Sequence, residues 1–78
     1  MEQEQRLRAF LEERFPAFDE NCAASADLSS VIDSLGVFDV VEFIERELEV
    51  NVPAEEFSLQ RFSSISRILE FVDELRML

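Results

Sequence analysis

Few residues in this sequence could take part in chemistry. The chain has no histidine and a single cysteine, Cys22, so it offers neither a disulfide framework nor a zinc site of the usual cysteine and histidine type. Little acid–base or nucleophilic catalysis is then available, and we expect a protein that is not an enzyme. One local motif stands out, Asp33-Ser34-Leu35, which precedes an acidic amphipathic segment. Aspartate and serine are common helix caps, so the motif alone is ordinary.

The acidic residues are concentrated around and after this motif. The 78 residues include 18 Asp and Glu against 7 Lys and Arg, a formal net charge of −11. Residues 17–56 carry ten of those eleven net charges, because they hold eleven acidic residues and one arginine. This acidity excludes direct binding to nucleic acid or to an anionic membrane. Its concentration in one segment favours docking of a basic protein surface.

The composition predicts one folded domain that spans residues 1–78. Hydrophobic residues make up 47% of the chain and include eight phenylalanines, which is too many for a disordered acidic tail. No apolar run approaches the roughly 18 residues that span a bilayer, and the N-terminal sequence does not resemble a signal peptide. We therefore expect a cytoplasmic, monomeric domain without membrane insertion.

Apolar periodicity predicts three main helices, from Glu2 to Phe15, from Ser34 to about Leu48, and from Ser64 to Arg76. A short helix over 54–57 and a long loop over 16–33 complete an all-α bundle, since no segment alternates with the period of a strand. The predicted core side chains and loop anchors are Leu7, Phe10, Leu11, Phe15, Phe18, Leu28, Val31, Ile32, Val37, Val40, Val41, Ile44, Leu48, Ile65, Ile68, Leu69, Val72 and Leu75.

The order of these elements and their motifs resembles the acyl carrier protein family across nearly the whole chain. Asp33-Ser34-Leu35 is similar to the family's attachment motif. The stretch from Val41-Glu42-Phe43 to Val52-Pro53 resembles its second helix and the exit from it, and Phe62-Ser63-Ser64-Ile65 resembles the start of its last helix. The resemblance implies an acyl-carrier-like bundle of three main helices plus one short helix, with the long loop between the first two. It also implies a free-standing carrier.

The resemblance implies that Ser34 receives 4′-phosphopantetheine from coenzyme A through a separate phosphopantetheinyl transferase. The arm would carry acyl intermediates as thioesters, loaded by an acyltransferase or ligase and passed to a synthase or acyl-transferring enzyme. Polyketide, fatty-acid or other specialised biosynthesis would be the setting. Asp33 would belong to the motif that the transferase recognises, and Leu35 would give partners an apolar contact. The acidic residues that would contact partner surfaces are Asp39, Glu42, Glu45 and Glu47.

Departures from the family pattern leave the cargo and the partner enzymes open. Gly36 stands where fatty-acid carriers often have an acidic residue, and Phe57, Phe62 and Ile68 are bulky near the expected cleft between the second and last helices. Bulky side chains leave little room for a long chain, so we predict a short or polar acyl or aminoacyl cargo. One alternative is therefore an aminoacyl carrier of the D-alanyl or peptidyl kind. The other is an unmodified acidic helical adaptor for a basic protein, in which Ser34 is only a helix cap.

Overall fold

The computed structural model describes residues 2–77, and this part of the chain contains helices and turns but no strand. Helix α1 covers Glu2–Arg14, α2 covers Ser34–Glu47 and α3 covers Ile65–Arg76. Two 3₁₀ turns follow α2: Ala54–Glu56 lies where the sequence predicts a short helix, whereas Leu59–Phe62 was not predicted. The predicted all-α bundle with a long loop after its first helix is confirmed. No helix among residues 2–77 is long and apolar enough to cross a membrane.

The end of α2 and the start of α3 are defined by local backbone geometry and hydrogen bonding. Beyond α2, Glu49 adopts a left-handed backbone with a φ of 56°, which turns the chain directly after the helix. The turn brings Val50 into the core, where it is 7% exposed. At the start of α3, Ser64 is the N-cap, because its side chain accepts a hydrogen bond from the Arg67 N–H.

One apolar core joins the helices, the long loop and the 3₁₀ turns. Most of the predicted core residues are buried in it, although Phe10, Phe15, Val31, Leu69 and Leu75 are only partly buried. Sequence periodicity did not place Phe43 and Phe71 in this core, yet both are buried. An aromatic ring at the edge of an apolar stripe can reach into the core and bury a large apolar area, which accounts for the burial of Phe43 and Phe71.

The long loop is held against the bundle by hydrogen bonds to its backbone. The Leu28 N–H donates to the Ser63 carbonyl at 2.7 Å, and the Ser66 N–H donates to the Ala24 carbonyl at 2.9 Å. From α1, the Arg8 guanidinium donates to two further loop carbonyls, at 2.9 and 3.2 Å. These bonds satisfy backbone groups that would otherwise lack partners, and they hold the loop that leads into α2.

Candidate functional site

Ser34 is the first residue of α2 and is exposed. The residue before it, Asp33, is the N-cap of the helix: its backbone is extended and its Oδ1 accepts a 2.7 Å hydrogen bond from the Gly36 N–H. The cap of α2 is therefore Asp33, and the interpretation of Ser34 as only a helix cap is wrong. The Ser34 hydroxyl lies at an accessible loop-to-helix junction.

The start of α2 favours a negatively charged substituent on Ser34. The first N–H groups of a helix lack intrahelical partners, and the helix dipole places a partial positive charge there. A phosphodiester on the Ser34 hydroxyl would lie at this end of the helix, where such anions are stabilised. The chain contributes no histidine to activate the hydroxyl. Residues 2–77 also hold no group of three or more side chains suited to a metal ion.

Gly36 is explained by its close packing against Phe15, the residue that follows α1. A Cβ atom at this position would lie 2.8 Å from Cε1 of Phe15 and 3.2 Å from the Asp33 Oδ1. The Phe15 ring is itself supported edge-to-face by Phe10, with ring centroids 6.3 Å apart. A side chain at position 36 would therefore collide with Phe15, which accounts for the absence of the acidic residue that fatty-acid carriers often have there.

Three of the four acidic residues predicted to contact partners are engaged within the protein. The contacts are an ion pair from Arg14 to Asp39 at 3.2 Å, an ion pair from Arg46 to Glu42, and a 3.0 Å hydrogen bond from the Val52 N–H to the Glu45 carboxylate. Exposed ion pairs are worth only about 0–1 kcal/mol, so a basic partner could displace the first two. The bond to Glu45 closes the segment after α2, a structural role that the spacing of acids did not reveal. Glu47 is exposed.

An exposed apolar surface flanks Ser34. Leu35 is 75% exposed, Phe38 is 58% exposed and Leu59 is 50% exposed. Phe38 also meets Phe57 edge-on, with centroids 5.5 Å apart. Leu35 is thus available for the predicted partner contact and is no part of the core, although the contact itself stays a prediction. Phe38 was not predicted from the sequence, although its position three residues after Leu35, on the same helix face, was an available signal.

Ser34 also borders an open cleft of about 330 Å³ between the long loop and the second 3₁₀ turn. That volume lies at the lower end of the roughly 300–1,000 Å³ typical of ligand sites. The cleft is lined by three serines, one carboxylate and three apolar side chains: Ser29, Ser34, Ser63, Asp33, Ile32, Leu59 and Phe62. A separate groove of about 500 Å³ between α1 and α2 is lined by other residues.

One curated protein is similar to this chain over part of its length. The chain is 33% identical over 48 residues to a D-alanyl carrier protein from Streptococcus uberis, and the matched segment is 62% of this chain and 61% of the relative. The chain thus spans less than two thirds of that relative. No protein-family model matches the chain, and no solved structure matches it. Together with the small helical bundle, the similarity supports a carrier-protein family.

Proposed function

We propose that this protein is a carrier protein whose cargo is held on a 4′-phosphopantetheine arm attached to Ser34. When bound, the arm supplies the thiol on which a carboxylic acid is carried as a thioester. Ser34 Oγ forms a bond to the pantetheine-side phosphorus of coenzyme A, while the bond from that phosphorus to the bridging oxygen breaks. Adenosine 3′,5′-bisphosphate leaves, and the hydroxyl proton passes to a base of the transferase.

The position of the Ser34 hydroxyl is the observation that carries this proposal. Ser34 is the first residue of α2 and is exposed. Because Asp33 caps the helix, the Ser34 hydroxyl is not used as the cap. A partner enzyme can therefore modify it without removing a bond that the fold requires. The lack of histidine agrees with a domain that is modified and loaded by other proteins and that catalyses no step itself.

We further propose an aminoacyl cargo of the D-alanyl kind. The relative from Streptococcus uberis is named a D-alanyl carrier protein, which favours this cargo over the polyketide or fatty-acid cargo that the sequence analysis placed first. The partners are then a phosphopantetheinyl transferase, a ligase that activates the amino acid, and an enzyme that accepts the aminoacyl group. The exposed Leu35 and Phe38 beside Ser34 are suited to apolar contact with each of them.

Intact-protein mass spectrometry tests the attachment site. The full chain is incubated with coenzyme A, Mg²⁺ and a promiscuous phosphopantetheinyl transferase, beside Ser34→Ala and the matched control Ser30→Ala, which removes an exposed hydroxyl from the nearby loop. We expect one phosphopantetheinyl mass gain in the wild type and in Ser30→Ala, and none in Ser34→Ala. If a folded, helical wild type gains no mass, the carrier function is wrong and the acidic adaptor takes its place.

The cargo is tested on the phosphopantetheinylated protein. Incubation with D-alanine, ATP and a D-alanine-activating ligase should add one alanyl mass, and hydroxylamine should remove it because a thioester is cleaved by this nucleophile. A modified protein that resists aminoacylation but accepts acetyl or malonyl groups from an acyltransferase would contradict the aminoacyl cargo. That result would leave the carrier function standing.

A further inference from the structure

The cleft beside Ser34 ends on an aromatic floor. Ile32 and Phe62, at the bottom of the cleft, are each only 1% exposed. Phe62 meets Phe71 edge-to-face, with ring centroids 5.6 Å apart and an interplanar angle of 84°. The Arg61 guanidinium lies 5.0 Å from the centre of the Phe71 ring. Phe62 thus packs against a second aromatic ring of the core.

The second 3₁₀ turn, which carries Phe62, packs against α2 and α3, and the side chains of these two helices fill the core. Val40 and Ile44 of α2, and Ile68 and Val72 of α3, are 0% exposed and belong to the same apolar cluster as Phe62. Because a water-sized sphere touches none of their surface, no void large enough for a water molecule adjoins these side chains. An alkyl chain could enter here only by displacing closely packed groups.

The edge of the cleft differs in chemistry from its floor. Ser29, Ser34 and Ser63 line the cleft together with Asp33, and their hydroxyls and the Asp33 carboxylate can hydrogen-bond to polar groups. The wall beside Ser63 is tied down, because its carbonyl accepts the 2.7 Å bond from the Leu28 N–H. A short polar group fits such a shallow cleft better than an extended alkyl chain does.

We propose that this cleft restricts the cargo to short acyl or aminoacyl groups, and that Phe62 is the residue that sets the limit by closing the route from Ser34 to the core. The inference rests on the proposed attachment of the arm to Ser34 and adds the size class of the cargo. A longer alkyl chain stays outside the bundle, in contact with solvent and with the exposed apolar residues around Ser34.

The test attaches alkyl chains directly to position 34, so it does not depend on a transferase. In the full chain carrying Cys22→Ala and Ser34→Cys, the new thiol is converted to mixed disulfides with methyl, butyl, octyl and dodecyl methanethiosulfonates. We expect the Tm to differ by less than about 2 °C across the series, whereas burial of several methylene groups in a domain of this size would raise it by at least about 4 °C. We also expect no NMR contacts between the terminal methyl group and Ile68.

Two further variants assign the limit to Phe62. Phe62→Leu, in the same background, should allow the octyl chain to raise the Tm and to contact Ile68. The matched control Phe71→Leu makes the same substitution in the other ring of the pair and leaves Phe62, at the floor of the cleft, in place. It should behave as the parent. A Tm that rises with chain length in the parent would overturn the proposal.

Two further outcomes would contradict the assignment of the size limit to Phe62. Chains that stay outside in both leucine variants, or that enter both equally, would show that Phe62 does not set the limit. Because the chains are attached chemically, these results are independent of the phosphopantetheinylation experiment. A protein that no transferase modifies would refute the carrier function without altering what the alkyl series reports about the cleft.

Discussion

Replacing Gly36 with alanine should destabilise this protein, although glycine inside a helix usually weakens the helix. At an ordinary helical position, alanine is more favourable than glycine by about 1 kcal/mol. Here the added Cβ would lie 2.8 Å from Cε1 and 3.2 Å from Cζ of Phe15. The Phe15 ring has little freedom to retreat, because it meets Phe10 edge-to-face and packs against the core.

The net effect follows from two opposing contributions. Overpacking of a well-filled site costs about 1–3 kcal/mol, and the gain in helix propensity offsets about 1 kcal/mol of it. Gly36→Ala should therefore lower the free energy of unfolding by about 1 kcal/mol. In a Phe15→Leu background the ring edge is gone, and the same substitution should raise the free energy of unfolding by about 0.5–1 kcal/mol. The sign of the effect of Gly36→Ala thus depends on Phe15.

Urea denaturation followed by circular dichroism measures all four proteins of this double-mutant cycle. The m-value should be the same in each, so that the midpoints report stability alone. We expect a coupling free energy of about 1–3 kcal/mol between the two positions, as for other residues in direct contact. If Gly36→Ala stabilises the wild type as much as it stabilises Phe15→Leu, the added Cβ does not collide with Phe15. Another property of the site must then explain why position 36 is glycine.

Two further predictions concern carboxylates. Glu45→Ala should lower the free energy of unfolding by about 1 kcal/mol, because the backbone N–H that donates to Glu45 loses its acceptor. Glu47→Ala removes the same charge from an exposed position and should change stability by less than about 0.5 kcal/mol; equal urea midpoints would contradict the structural role of Glu45. Hydrogen bonding and charge repulsion from Glu20 raise the pKa of Glu12 above its ordinary value of 4.5. The folded protein therefore binds this proton more tightly than the unfolded chain, and the contribution of Glu12 to stability falls as the pH rises from 4.5 through the raised pKa. In Glu20→Ala, an NMR titration should find the pKa of Glu12 shifted down towards its ordinary value, and an unchanged pKa would show that another group raises it.

The helices of this protein could be predicted from local rules, and their ends only in part. The spacing of Val37, Val40, Val41 and Ile44 places one apolar face on α2, and all four are buried. For α3, the predicted start at Ser64 is the N-cap, whose side chain accepts the bond from the Arg67 N–H. The end of α2 was predicted to within one residue. The left-handed backbone of Glu49 that follows it was not predicted, because glycine or asparagine adopts this conformation more often.

The sequence by itself determined an acidic, all-α domain with a serine at the junction of a long loop and its second helix. Composition and apolar periodicity are sufficient for that conclusion, because they depend on residue types and their spacing. Which residue caps α2 was decided only by the tertiary structure. Asp33 and Ser34 are both good caps, and the choice depends on the backbone angles with which the anchored loop enters the helix.

Three other features of the site were also decided only by the tertiary structure. Phe15 occupies the space over Gly36, Val52 donates to Glu45, and Phe62 lines the cleft beside Ser34. Each feature joins residues that are distant along the chain or separated by a turn, so no local pattern contains it. Contacts of this kind exist only once the core has brought the helices, the loop and the 3₁₀ turns together, and for that reason only the folded structure could reveal them.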